Sequence, residues 1–177
     1  ALRAFHGRAY TRVRGVQLAS GDEVVRLSLL APSDATTAEG RASLKQSRAA
    51  RRAALGEDEP VIEDAADEGD DGKEDVALSP ERYAMLGARE QFILAVSATG
   101  YGKRSSSYEY RVTGRGGSGI VAMDMTRKNI GIVAGFPVEE SDDLMLISNQ
   151  GQTIRVPVAG ISVQGRGSGG VTVFRVA

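Results

Sequence analysis

The chain has 177 residues, and 41% of them are hydrophobic, which is enough for a packed core in one domain or two. It contains no cysteine. This excludes a disulfide framework and a cysteine zinc site, and it is typical of a protein of the reducing cytoplasm. No apolar run in the sequence is long enough to span a membrane, so we expect no membrane partner.

The formal net charge of −1 conceals an uneven distribution along the chain. Residues 32–80 contain 13 Asp and Glu against 6 Lys and Arg, whereas the rest of the chain contains 10 acidic and 16 basic residues. An acidic segment inside an otherwise basic chain indicates a polyanionic partner for the basic part.

The N-terminal part predicts short strands. Val13, Val16 and Leu18 suggest one strand, and the alternating pattern of Val24–Leu30 predicts a second. A different composition begins at residue 32. The Ala, Arg, Lys and Gln content of Thr37–Leu55 predicts a helix that ends before Gly56.

Carboxylates dominate Glu57–Asp75, which predicts disorder. Ser79 and Pro80 then have the residue types of a helix start. From Gln91 onward the pattern is that of short strands separated by turns. We predict strands at residues 92–96, 101–104, 120–125, 132–138, 144–148, 153–156 and 171–176, with turns at 97–100, 139–143 and 149–151.

This strand pattern is repeated. Adding 51 to a residue number carries Gly100 to Gly151, Arg104 to Arg155, and the glycine-rich loop Gly114–Gly119 to Gly165–Gly170. Four short strands in a unit of this length are typical of a propeller blade. We predict the end of one blade at 1–20, a blade at 21–31 and 82–129 interrupted by an insert at 32–81, and a last blade at 130–177. The chain begins in mid-repeat and without Met, so we expect it to be a fragment of a longer protein.

The two glycine-rich loops resemble nucleotide-binding motifs only superficially, because β-branched strand residues and not a helix follow each loop. We expect positive φ to be a main reason for their glycines. Each loop also carries an arginine, and a propeller would bring such recurring cations to one rim, where they suit phosphate groups. An ordinary solvated surface is the alternative. The predicted DNA-binding residues are Lys103, Arg104, Arg115, Arg127, Lys128, Arg155 and Arg166.

Catalytic and metal-binding patterns are absent from the sequence. The single histidine, His6, has no cysteine and no acidic cluster nearby, and the carboxylates of Glu57–Asp75 do not have metal-loop spacing. We therefore expect a non-catalytic segment that holds no cofactor of its own.

Several of these motifs resemble one known family. The stretch Gly100–Arg104, the pair Glu109 and Tyr110, the loop Gly114–Ile120 and the segment Ile154–Val158 strongly resemble the C-terminal domain of the DNA gyrase A subunit. The resemblance covers residues 7–30 and 82–177. It implies an all-β fold, the β-propeller-like β-pinwheel with strands exchanged between blades, of which this chain would hold about two full blades and the end of a third, plus a largely disordered acidic insert.

The resemblance also implies a function. The family's domain wraps double-stranded DNA around a basic perimeter and so supports the negative supercoiling performed by an ATP-dependent type II topoisomerase. The parent complex would be an A2B2 heterotetramer in the cytoplasm, in which the gyrase B subunit supplies the ATP and Mg²⁺ sites. The family's gyrase box is missing from this chain, so the corresponding C-terminal domain of topoisomerase IV stays open. A propeller-type scaffold for acidic protein partners is a further alternative.

Overall fold

The computed structural model describes residues 14–55, 76–125 and 129–175, without the side chains of residues 54 and 55. Within these ranges there are two helices and six strands. The helices are α1, Thr37–Leu55, and α2, Pro80–Arg89; the strands are β1, Phe92–Ser97, β2, Tyr101–Ser106, β3, Ile132–Val138, β4, Asp143–Ile147, β5, Thr153–Pro157, and β6, Val171–Thr172.

Helices α1 and α2 both come from the predicted insert. The expected helix at Thr37–Leu55 is confirmed, and so is the helix start at Ser79, whose Oγ accepts a hydrogen bond from the Arg82 backbone N–H at 3.2 Å. The predicted disorder of Glu57–Asp75 lies outside the described residues.

A forked ion pair joins the two helices. Arg82 Nε donates to Glu39 Oε1 at 2.8 Å and Arg82 Nη2 donates to Glu39 Oε2 at 3.1 Å. Hydrogen bonding by Arg82 lowers the pKa of Glu39 to about 2, with help from the Thr36 backbone. The ion pair thus fixes the start of α1 against α2.

The main sheet has four antiparallel strands in the order β3-β1-β2-β6. Its centre is the β1–β2 hairpin, in which Leu94 lies opposite Arg104, and β3 pairs with the other edge of β1. Strands β4 and β5 form a separate two-stranded sheet in which Leu144 lies opposite Val156. The four-stranded sheet therefore joins a hairpin from the predicted range 82–129 to strands from the predicted range 130–177.

The core lies between these two sheets. Leu94 and Val96 of β1 and Val138 of β3 pack with Leu144 of β4, together with Val158 and Ile161, which follow β5. Burying each side chain of this kind stabilises the fold by roughly 1.5–3 kcal/mol. These contacts hold the separate β4–β5 hairpin against the main sheet.

The segment after β5 covers one side of β2. The Arg104 N–H donates to the Ser162 carbonyl at 3.0 Å, the Gln164 N–H donates to the Arg104 carbonyl at 2.8 Å, and Ser105 Oγ donates to the Gln164 carbonyl at 3.0 Å. Residues 161–166, called the covering segment below, therefore run beside β2 and hide its side chains from solvent.

The strand predicted at Val24–Leu30 is wrong. The segment lies near β3, where Arg26 stacks over the Phe136 ring at 4.8 Å and Ser28 Oγ donates to the Gly135 carbonyl at 3.5 Å. It forms no backbone ladder there, and its apolar side chains are exposed. Alternating residues favour a strand, but a strand also needs a neighbour to receive its backbone hydrogen bonds.

Two further strand predictions also need correction. Residues 14–18 and 120–125 are irregular, and Val13 lies outside the described residues. Around Asp124 the backbone bonds to the second glycine loop instead of a strand, because its N–H donates to the Ser168 carbonyl at 3.1 Å. The closing strand is shorter than predicted, since β6 contains only Val171 and Thr172.

The other strand predictions are confirmed. The strands at 92–96, 101–104, 132–138, 144–148 and 153–156 all exist within a residue or two of their predicted ends, and the three predicted turns join them. The fold of residues 91–175 is therefore all-β and antiparallel, as expected, with the helices contributed by the insert. The predicted blade boundaries stay predictions.

Candidate nucleic-acid interface

The seven predicted DNA-binding residues fall into three groups. Lys103, Arg104 and Arg166 are buried, whereas Arg115 and Arg155 are exposed. Arg127 and Lys128 lie outside the described residues. The expectation of one exposed rim is therefore wrong for the three buried residues, and their part in DNA binding stays a prediction.

Lys103 lies on the inner side of β2 and is fully buried. Its Nζ donates to the Gly165 carbonyl at 2.7 Å and also to the Arg166 carbonyl. Burial lowers the pKa of Lys103 to about 8, although the carboxylates of Glu109 and Asp124 act in the opposite direction. This lysine anchors the start of the second glycine loop, and it is not available to a phosphate in this arrangement.

Arg104 is held by main-chain oxygens of the segment that follows β5. Its Nε donates to the Ile161 carbonyl at 2.7 Å and its Nη2 donates to the Ala159 carbonyl at 3.4 Å. Its Nη1 lies 3.6 Å from Glu140 Oε1. Most of the five guanidinium donors are therefore already used within the chain.

Arg166 and Glu109 connect the second glycine loop to the rest of the chain. The Arg166 guanidinium donates to the Val121 carbonyl, and the Arg166 backbone N–H donates to Glu109 Oε2. The other oxygen of Glu109 accepts from Arg48 Nη2 of α1 at 3.3 Å. Glu109 thus links the insert helix to the loop.

Arg155 and Arg115 are the two predicted residues that face solvent. Arg155 lies on β5, and its guanidinium donates to the Asp143 carboxylate of β4, with a distance of 2.8 Å from Nε to Oδ2. An exposed pair of this kind contributes only about 0–1 kcal/mol, so a phosphate group is able to replace the carboxylate. Arg115 is exposed in the first glycine loop, where the Gly116 N–H donates to the Gly15 carbonyl at 2.9 Å.

The glycines of the loops have the conformations expected in part. The equivalent residues Gly119 and Gly170 both have positive φ, of 82° and 75°. Gly170 has a second reason to be glycine, because a Cβ there would lie 2.7 Å from the Gly102 carbonyl oxygen. The loop after β5 is therefore packed directly on the backbone of β2.

The sequence prediction missed two cations on α1. Arg51 and Arg52 lie in its last turns and line a cavity of about 440 Å³ together with Phe92, Arg104, Glu140 and residues 159–163. The available signal was the charge distribution within the insert. Five of its six basic residues, Arg41, Lys45, Arg48, Arg51 and Arg52, lie in α1, whereas most of its acidic residues follow α1.

Membrane-spanning helices and metal sites are both absent from the part of the chain that the structure describes. Neither of its helices has the length and apolarity needed to cross a membrane. Within the same ranges, no three His, Asp or Glu side chains are grouped so that they could hold a metal ion.

The fold and the surface together define a propeller-like repeat domain, in which one hairpin takes strands from the following repeat. Residues 91–136 and 142–177 match the family described as "DNA gyrase C-terminal domain, beta-propeller". The chain belongs to this family, the C-terminal domains of the DNA gyrase A subunit.

Similar proteins carry the same family name. The DNA gyrase A subunit of Granulibacter bethesdensis is 46% identical over 178 residues, which cover 99% of this chain and 19% of the relative. The DNA gyrase A subunit of Rickettsia bellii is 39% identical over 99% of this chain and 18% of the relative. A solved structure of a DNA gyrase A C-terminal domain aligns with a TM-score of 0.47 and 27% identity, covering 50% of this chain and 30% of the other.

These comparisons bear on the two enzyme families left open by the sequence. The names of the relatives favour gyrase over topoisomerase IV. The chain spans about a fifth of the length of the curated relatives that it matches.

Proposed function

We propose that this chain is a DNA-binding and DNA-wrapping module of the A subunit of a DNA gyrase, working within a type II topoisomerase that supercoils DNA. In this proposal the complete protein functions in the cytoplasm as an A2B2 complex. The gyrase B subunit supplies the ATP and Mg²⁺ sites, and the segment described here holds no cofactor.

The observation that carries the proposal is the extent of the similarity. The gyrase relative from Granulibacter bethesdensis is 46% identical along 99% of this chain, so the similarity includes the insert as well as the strands. The repeat loops and the hairpins are thus shared as one unit.

The exposed arginines support contact with a DNA backbone. Arg115 and Arg155 present guanidinium groups at the surface, and Arg14 and Arg111 are exposed as well. Cations that neutralise phosphates bind DNA without reading its bases. In this proposal the buried Lys103, Arg104 and Arg166 act indirectly, by fixing the loops that carry the surface groups.

A binding experiment at several salt concentrations tests the proposal. Fluorescence anisotropy of a labelled duplex should give an affinity that falls with salt, with a logarithmic slope of about −0.9 for each phosphate contacted. Arg115→Gln and Arg155→Gln should each weaken binding and reduce the size of that slope by about 1. Arg89→Gln on α2 removes the same charge elsewhere and serves as the matched control.

Two outcomes would contradict the proposal. One is an affinity that does not change between low and moderate salt. The other is an equal effect of Arg89→Gln and of the two loop and strand variants. Binding of an acidic peptide that duplex DNA fails to displace would instead favour the scaffold function.

A further inference from the structure

A cavity lies between the insert and the repeats. Its walls are the last turns of α1, the start of β1, and residues 159–163 after β5. With a volume of about 440 Å³, it has the size of a small-molecule site. It is formed only because α1 docks on the blade, through Leu44 and Ser43, which are buried, and through Gly40, whose Cα packs closely on Tyr108.

The charge of the cavity is positive. Three arginines line it, Arg51, Arg52 and Arg104, against one carboxylate, Glu140. Arg104 is fixed by carbonyl groups and lies 3.6 Å from Glu140, so these two largely balance each other. Arg51 and Arg52 have no hydrogen bond or ion pair with any residue in 14–55, 76–125 or 129–175. Their two charges therefore remain for a ligand.

The remaining wall is apolar. Phe92, Ile161 and Val163 contribute apolar side chains, and the Arg104 guanidinium lies 5.8 Å from the centre of the Phe92 ring. A wall of this kind suits the sugar of a sugar-phosphate, and the guanidinium groups suit its phosphate, which arginine binds through paired donors.

We propose that this cavity is a phosphate-binding site in which Arg51 and Arg52 of the insert hold a phosphate group of the nucleic-acid backbone. The proposal rests on the proposed function, and it assigns the insert helix to the DNA-binding surface. The insert then helps DNA binding through α1, whereas its overall acidic charge alone would predict the opposite.

A structural role for the same arginines makes a different prediction. Cations in the last turn of a helix stabilise it by roughly 0.3–1 kcal/mol through the helix dipole. Removing them for that reason alone would change helix content and stability but not the salt dependence of DNA binding. The test therefore measures both properties.

The experiment compares two double variants of the full chain. Arg51→Gln with Arg52→Gln should weaken duplex binding about tenfold or more and reduce the size of the salt slope by about 2, one for each lost phosphate contact. Arg41→Gln with Lys45→Gln removes two charges from the same helix outside the cavity, and it should have a much smaller effect. Glu140→Gln should tighten binding, because it removes the carboxylate from the cavity wall. Circular dichroism and urea unfolding check that each variant folds.

Each outcome decides the proposal. Equal losses in the two double variants, or no loss in either while the wild-type chain still binds DNA, would overturn the phosphate site and leave the proposed function intact. If the wild-type chain does not bind duplex DNA, the proposed function fails, and calorimetry with inorganic phosphate and pyrophosphate then tests the cavity alone. Binding that requires Arg51 and Arg52 would support a site for free phosphates, and no binding would overturn it.

Discussion

The two hairpins of this chain have related sequences but different surroundings. An offset of 51 residues makes Leu94 of β1 equivalent to Met145 of β4, and Val96 equivalent to Ile147. Leu94 and Val96 are 0% and 4% exposed, whereas Met145 and Ile147 are both 67% exposed. The first hairpin has a neighbouring strand on both edges, and the second has none within the described residues.

The arginines of the two hairpins differ in the same way. The side chain of Arg104 is 8% exposed and that of its equivalent Arg155 is 71% exposed. The covering segment and Ala159 provide the carbonyl groups that hold Arg104, and no described segment lies in the equivalent place beside Arg155. One repeated residue therefore has a structural role in the first hairpin and a surface position in the second. The neighbouring segment, and not the repeat itself, decides which.

The largest expected difference concerns the apolar positions of the two hairpins. Leu94→Ala should lower the free energy of unfolding by roughly 4 kcal/mol, because it leaves a cavity in the core. Met145→Ala should change it by less than about 0.5 kcal/mol, because that side chain is exposed in this chain. Urea unfolding of the two variants beside the wild-type chain measures both values. Similar losses in the two variants would show that the β4–β5 face is covered in solution.

The next expected effect concerns the pH dependence of stability. The repeat makes Ile154 the equivalent of Lys103, so only the first hairpin buries an amine. The pKa of Lys103 is about 8 in the folded chain and near its ordinary value of 10.5 in the unfolded chain. Between these values the unfolded chain binds more protons, so the lysine's contribution to stability rises as the pH rises, by about 3 kcal/mol in total.

Lys103→Met provides the comparison for this measurement. The free energy of unfolding of the wild-type chain should increase relative to that of the variant between about pH 8 and pH 10.5, and the difference should be constant below about pH 7. Denaturant titrations at half-unit pH steps measure this difference. A difference that does not depend on pH would contradict the buried, lowered-pKa state of Lys103.

The smallest expected effect separates the two equivalent arginines. Arg104→Ala should lower the free energy of unfolding by roughly 2 kcal/mol, because it leaves the buried Ile161 and Ala159 carbonyls without their donor. Arg155→Ala should cost less than about 1 kcal/mol, as expected for an exposed ion pair. Duplex binding should show the reverse order when it is measured on folded protein. Equal stability losses would end the distinction between the two hairpins.

A large part of the fold was predictable from the sequence. The period of 51 residues identified the equivalent hairpins, and the alternation of side chains with turn residues located β1, β2, β3, β4 and β5. The composition of Thr37–Leu55 predicted α1, and Ser79 with Pro80 predicted the start of α2. These features depend on residues close together in the chain, and so the sequence determines them directly.

The site was less predictable, because burial depends on which distant segment covers a residue. Lys103 meets its carbonyl partners 62 and 63 residues later in the chain, and Arg104 meets Ile161 57 residues later. Neither charge pattern nor spacing indicates such a contact. The role of Arg51 and Arg52 likewise depends on the docking of α1, because the cavity beside them does not exist until the helix packs on the blade.

The sequence by itself determined the repeat, the hairpins, the insert helix and the family to which the chain belongs. Only the tertiary structure decided that Val24–Leu30 forms no ladder, that Lys103, Arg104 and Arg166 are buried, and that the insert brings arginines next to the repeats. The physical reason is that backbone pairing and desolvation are properties of two segments brought together. A local pattern specifies only one of the two.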